Sequence, residues 1–174
     1  MTISINYKSD YSKKNSSNLI LFVDEKFNVL GLKKHLSTSE YTYIHDVLKT
    51  KDIKKKINEF DINSKKKIIL ISLKKNNNSS EMENLGAKFY DYLKEVKQAQ
   101  FILNSDTLPI KTENFTGHFL HGFKLKSYNF EKYKTKKINK NISVTVIGKN
   151  KPSKKDQIKF EAIEKGTFYT RDLV

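Results

Sequence analysis

The chain has no cysteine among its 174 residues. Disulfides, thiolate metal sites and a cysteine nucleophile are therefore excluded, and with them redox chemistry by its own side chains. Long apolar runs are also missing, none approaching the ~18 residues that would cross a bilayer. The amino-terminal stretch, with Lys8, Asp10, Lys13, Lys14 and Asn15, lacks the apolar centre of a signal peptide. A soluble, cytoplasmic protein is expected. Proline is confined to Pro109 and Pro152, too few to stiffen an interdomain linker. Gly31, Gly86, Gly117, Gly122, Gly148 and Gly166 are scattered, and no two stand in a G-x-G-x-x-G or G-x-x-x-x-G-K frame. A glycine loop cradling nucleotide phosphates is excluded, and these residues are read as serving turns and close packing.

Arginine is nearly absent too. Arg171 stands alone against 33 lysines, and with 16 asparagines the chain takes on a Lys/Asn-rich composition that looks like drift. The net charge of +15 would ordinarily point to nucleic acid or an anionic surface. Lysine, however, is a hydrated point charge that cannot make the forked contacts of arginine to guanine or phosphate. A solvated lysine surface is the expectation, with weak, non-specific nucleic-acid binding as its rival.

What is present suffices for one domain. Apolar residues make up 37% of the chain and aromatics 11%, without the signature of disorder. Short apolar segments at Leu19 to Val23, Ile68 to Leu73, Phe101 to Leu103 and Ile142 to Ile147 predict strands, and Ile3 and Ile5 begin another. Helices are predicted between them. Ser37 and Glu40 form a capping box ahead of Tyr41, Ile44, Val47 and Leu48. Ser80 and Glu83 repeat the device ahead of Met82, Leu85, Phe89, Leu93 and Val96, while Thr112 caps a helix carrying Phe115, Phe119, Gly122 and Phe123. Ser153, after Pro152 and with Asp156 three residues on, opens the last helix. Its apolar face is read as Ile158, Ala162, Gly166, Tyr169 and Leu173. The stretches Lys49 to Lys67, Asn76 to Ser79 and Tyr128 to Asn141 are expected as surface loops or edge segments. Strand and helix taking turns imply an α/β layer fold with a mostly parallel sheet.

The last helix shows no Gly, Asn or Pro stop after Leu173. Its pattern is still running at Val174, which predicts a chain that continues, with 153–174 leading into whatever follows.

Candidate chemistry is sparse. His118 and His121, three apart, would share a helix face as metal ligands must, yet two ligands make no site and phenylalanines surround them. His35 and His45 are read as structural. Asp24, Glu25, Glu81, Glu83, Asp91 and Glu95 supply carboxylates, and nothing in their spacing joins them into an acid/base pair. Asp24 and Glu25 follow an apolar strand, where α/β folds place functional groups, but a buried strand's polar exit looks the same. From Lys126 to Lys137, aromatics alternate with lysines, as in a single-strand nucleic-acid platform or as in a helix exit whose rings pack while its lysines face water.

The segment Gly122-Phe123-Lys124-Leu125-Lys126-Ser127-Tyr128-Asn129-Phe130-Glu131-Lys132-Tyr133-Lys134 resembles the G-x-x-L-x-x-Y-x-F-x-x-Y-K element that precedes the catalytic domain of leucyl (cytosol) aminopeptidases. Gly166 ahead of Thr170-Arg171-Asp172-Leu173-Val174 is similar to that family's G-x-x-x-x-R-D-L element, which joins its two domains. The resemblance implies a three-layer, macro-domain-like fold for residues 1–174 as a single non-catalytic amino-terminal domain. It implies a separate carboxyl-terminal domain that binds two divalent metals, manganese or zinc, and removes amino-terminal residues from peptides, usually as a homohexamer. It carries no catalytic, cofactor-binding or metal-binding residue onto this chain. Tyr128, Phe130 and Tyr133 become packing residues near the domain junction, with Arg171 and Asp172 as junction groups. The macro-like fold also raises an ADP-ribose or nucleotide binder as a further rival.

Overall fold

A computed structural model describes residues 2–8, 18–50, 55–109, 112–128 and 141–173. Its elements in chain order are β1 (Thr2–Tyr7), β2 (Asn18–Asp24), α1 (Thr38–Thr50), β3 (Ile57–Asn63), β4 (Lys66–Leu73), α2 (Ser79–Glu95), β5 (Gln100–Asn104), α3 (Phe115–Lys126), β6 (Asn141–Ile147) and α4 (Lys154–Asp172), with 3₁₀ turns at Leu30–Lys34 and Ser105–Thr107. The six strands form one sheet in the order β1-β6-β5-β2-β4-β3. Every pairing is parallel except β3 against β4.

The central strands are apolar on both faces because both are covered, which is why they read as continuous apolar runs. Ile20 and Phe22 of β2, with Ile69 and Ile71 of β4, face α2 and α3. Leu19, Leu21 and Val23, with Ile68 and Leu70, face α1 and the first 3₁₀ turn through Ile44, Val29 and Leu32. The result is a three-layer α/β fold. Coverage is uneven across the sheet: Ile3 and Val144 enter the α2/α3 layer, but Ser4 and Asn6 of β1 are exposed on the opposite face.

Polar side chains close the gaps between strands. The buried Asn18 donates to the Gln100 carbonyl at 2.9 Å and accepts from the Lys67 amide at 2.9 Å, tying β2 to both neighbours. Beyond the last β2–β5 partner, Ile20, the Phe22 amide meets the Thr107 hydroxyl at 2.9 Å instead of a strand. A buried amide is thereby satisfied.

The caps test the sequence reading at each helix. Ser37 and Glu40 make the expected box, their reciprocal bonds measuring 2.9 and 3.3 Å. Burial would raise the Glu40 carboxyl, but hydrogen bonds from Lys66, at 2.6 Å, and from Ser37 outweigh it and hold the pKa below the ordinary value. At α2 the box is Asn78 with Glu81, not Ser80 with Glu83. Asn caps as well as Ser, so the helix starts earlier and Glu83 turns inward. Thr112 does not cap α3 with its side chain: Asn114, left-handed at φ 50°, precedes the helix, and the Thr112 carbonyl accepts from Phe115 N at 3.3 Å. Ser153 caps α4 as expected, accepting from the Asp156 amide at 3.1 Å.

The stretch Lys49 to Lys67, expected as a surface loop or an edge segment, holds the edge strand β3, of whose residues Phe60 alone is buried, with a register shift at Asp61/Asn63 breaking its alternation. One expectation needs correction. The predicted inner face of α4 points outward, with Ile158, Tyr169 and Leu173 exposed by 68%, 67% and 69%. The inner face carries Phe160, Glu164 and Phe168 at steps of four, and a count of apolar residues alone passes over a stripe interrupted by a carboxylate.

Helices α2 and α3 meet backbone to backbone. A Cβ on Gly86 would lie 1.9 Å from the Phe119 carbonyl oxygen, and one on Gly122 would lie 2.0 Å from that of Glu83. Around this contact Phe89 packs on Phe119 and Phe123 with ring centroids 5.5 Å apart. By contrast, a Cβ on Gly166 in α4 meets nothing within 4 Å. Gly122→Ala is expected to lower stability by about 3 kcal/mol, since backbone cannot yield as a side chain would. Gly166→Ala should raise it by about 1 kcal/mol through helix propensity. Denaturant unfolding of both variants checks the pair, and equal effects would contradict the packing.

Candidate functional site

Because α2 and α3 lie so close, the face of α3 turned away from the sheet carries His118 and His121 toward α4. His118 Nδ1 lies 2.9 Å from Glu83 Oε1 on α2, and His121 Nδ1 lies 3.2 Å from Glu164 Oε1 on α4. Phe160 lies against both imidazoles, edge-on to His118 at 5.2 Å and stacked on His121 at 4.8 Å. The pair therefore shares a face, as its spacing predicts, but each ring is tied to a different carboxylate. Among the described residues no three His, Asp or Glu converge as metal ligands.

Beside this clamp a cleft of about 560 Å³ opens between β1, α3 and α4. Ile5, Leu120, Phe160 and Phe168 give it an apolar floor, while Tyr7, His121, Lys124 and Glu164 bring polar groups into it. The two hydrogen-bonded side chains, His121 and Glu164, are only 6% and 13% exposed. Lys124 Nζ donates to the Ile3 carbonyl on β1, and Glu161 is held instead by Lys165 at 2.6 Å. Tyr7, Lys124, Phe160 and Glu164 all escaped the sequence reading. Their only sequence signal is the step-of-four stripe on α4, since the β1 and α3 contributions depend on how the chain folds back.

Past the cleft, the carboxyl ends of α3 and α4 meet. The Tyr128 hydroxyl donates to Asp172 Oδ1 at 2.7 Å, Arg171 lies over the Tyr128 ring at 5.4 Å, and Arg171 Nη1 reaches the Leu125 carbonyl at 3.2 Å. Phe168 packs on Tyr128 at 5.3 Å. The two sequence elements quoted for the family resemblance thus touch in space. Phe130 and Tyr133 lie outside the described residues, as does most of the aromatic-lysine stretch.

At the carboxyl end of the sheet, polar groups bind one another. Ser105 Oγ donates to the Ile147 carbonyl at 2.8 Å, Asn150 Nδ2 to the Ser105 carbonyl at 3.1 Å, and the Lys149 amide to Asp106 at 2.7 Å. Gly148, at φ +98°, allows this approach, since a Cβ there would sit 2.6 Å from Ser105 Oγ. Asp24 accepts from the Lys26 and Asn28 amides, shaping its own turn. Glu25 is exposed at that turn. His35 meets Asn104 at 3.0 Å, and His45 stacks on Tyr41 on the outer helix. Glu81 caps α2, Asp91 lies 3.6 Å from Lys126, and Glu95 borders a surface hollow beside Tyr92. The candidate carboxylates are dispersed over structural tasks.

The Tyr7 phenol is pushed up to about 12, chiefly by burial and then by the Glu164 charge. Tyr92 is also raised, by burial first and then by its bond to Glu59. An unfolded chain ionises tyrosine near pH ~10. The stability contributed by neutral Tyr7 is thus complete below that pH and is lost as pH rises toward about 12. Tyrosinate absorbance should show Tyr7→Phe removing one late-titrating phenol from the native protein. An unchanged late phase would contradict the assignment.

No protein-family model matches the sequence, and no curated protein matches it. Solved structures do. A tomato leucine aminopeptidase point mutant superposes with a TM-score of 0.65 at 12% identity, over 95% of this chain and 36% of that one. The cytosol aminopeptidase of Coxiella burnetii gives 0.58 at 13% identity, over 96% and 32%. The macrodomain of Thermus aquaticus DarG gives 0.56 at 9% identity, over 84% of this chain and 99% of that one. The chain thus spans about a third of the aminopeptidases it matches, and nearly all of a macrodomain. At these identities the likeness establishes the fold: a macro-like three-layer domain of the kind that also occurs within aminopeptidases.

Proposed function

We propose that this chain is the non-catalytic amino-terminal domain of a metal-dependent leucyl aminopeptidase, acting as a scaffold and assembly element beside a catalytic domain. The coverage carries the reading: 95% of this chain corresponds to 36% of an aminopeptidase, leaving the remainder for a separate unit. In this reading the second domain supplies two divalent metals, manganese or zinc, that activate water for hydrolysis of amino-terminal residues, and the parent is a cytoplasmic homohexamer. This chain's residues would position that domain. Two features support such a role. The junction of Tyr128, Arg171 and Asp172 anchors the end of α4 to the domain body. The outward stripe of Ile158, Tyr169 and Leu173 offers an apolar surface of the type that neighbouring domains cover.

Purified 174-residue protein is expected to show no turnover of a leucine chromogenic substrate with added manganese. Robust metal-dependent hydrolysis would overturn the reading. The gene beyond Val174 should encode a carboxylate-rich domain. In that longer protein, Ile158→Lys with Leu173→Lys should weaken activity or assembly, while the melting temperature of residues 1–174 alone stays unchanged.

A further inference from the structure

The cleft between β1, α3 and α4 has a charge pattern that the scaffold role does not use. Each of its carboxylates already has a cation or imidazole: Glu164 is bound by His121 and Glu161 by Lys165. Lys124 differs. The half-buried Lys124 bonds the neutral Ile3 carbonyl through its ammonium and forms no close ion pair with a carboxylate among the described residues, although the Glu161 charge reaches it. Partial removal of a cation from water is costly unless an anion faces it. Next to it lies an apolar floor of Ile5, Leu120, Phe160 and Phe168, large enough at about 560 Å³ for a molecule of modest size. Glu164, which acts on Tyr7, repels a second negative charge there.

We propose that this cleft binds a small amphipathic carboxylate, its anion on Lys124 and its apolar body on Ile5, Leu120, Phe160 and Phe168. The charges set the orientation: the carboxylate seats on Lys124 and not beside Glu164. The Tyr7 hydroxyl makes no hydrogen bond to another described residue and lines the cleft. A compound with one anionic end and an aromatic or branched aliphatic body matches both features. An amine of the same shape would set its charge against Lys124, and a neutral amide would forgo the ion pair.

The test is a titration of isotope-labelled protein, followed by amide chemical shifts, with 3-phenylpropanoate, 3-phenylpropanamide and 3-phenylpropylamine. The carboxylate should shift residues of β1, α3 and α4 around the cleft and bind about tenfold or more tightly than the amide, the scale of a charge-assisted hydrogen bond. Lys124→Met should abolish that preference, while Lys124→Arg retains it and shows that the charge, not the local fold, is responsible. Glu161→Gln should tighten binding about threefold, because the Glu161 carboxylate feels Lys124 and competes for its charge. The proposal fails if the amine binds as well as the carboxylate. It fails equally if Lys124→Met, shown folded by its melting curve, keeps the preference, or if no cleft residue responds to the carboxylate.

Discussion

The backbone contact between α2 and α3 at Gly86 and Gly122 is the constraint on which the rest of the helical layer depends. With the helices this close, their aromatic side chains turn down toward the sheet, and α3 presents His118 and His121 outward. Those two rings hold Phe160, the one buried residue of α4. Through Phe160 the position of α4 is set, and with it the cleft and the contact between Tyr128 and Arg171. A side chain at either glycine would therefore be felt more than one helix away, because each step relies on close packing and not on adaptable polar contacts.

How much of this was legible differs by element, for physical reasons. Strands β2, β4 and β5 announce themselves because two covered faces require nearly continuous apolar sequence, and β6 by the alternation of buried Ile142, Val144 and Val146 with Ser143 and Thr145. Edge strand β3 has one half-covered face, so Phe60 is its sole deep anchor and its sequence is that of a polar loop. Helix α4 was recognised, but its orientation was reversed. Its contacts with α3 are a phenylalanine between imidazoles and a glutamate bound to one of them, and hydropathy gives such a stripe no weight. The capping boxes show the same limit. Ser80 and Glu83 fit the pattern as well as Asn78 and Glu81 do, and what separates them is His118, a partner for Glu83 that sequence distance conceals. The cleft was out of reach for that reason: Tyr7 and Glu164 belong to opposite ends of the chain.

Lysine without arginine leaves its mark on how charge is used. Glu40–Lys66, Lys67 with Asp61 and Glu59, and Glu161–Lys165 are single-point pairs. Where a fork is required, at the Tyr128 ring and the Leu125 carbonyl together, the chain places its one arginine. Lysine cannot both lie flat on a ring and reach a carbonyl to its side.

The pairing of β1 with β6 joins Thr2 to Asn141. On a ribosome adding roughly 5–20 residues per second, the first strand leaves the exit tunnel and waits on the order of ten seconds for its partner to be made. During that wait it is a lone strand, open to pairing with the same segment of a neighbouring nascent chain. Its alternation of Ile3, Ile5 and Tyr7 with Ser4 and Asn6 leaves one polar side that disfavours stacking, and Lys124, in the last turn of α3, later donates to its Ile3 carbonyl. The polar face of β1 is thus less a gap in the core than a provision for the interval before a core exists.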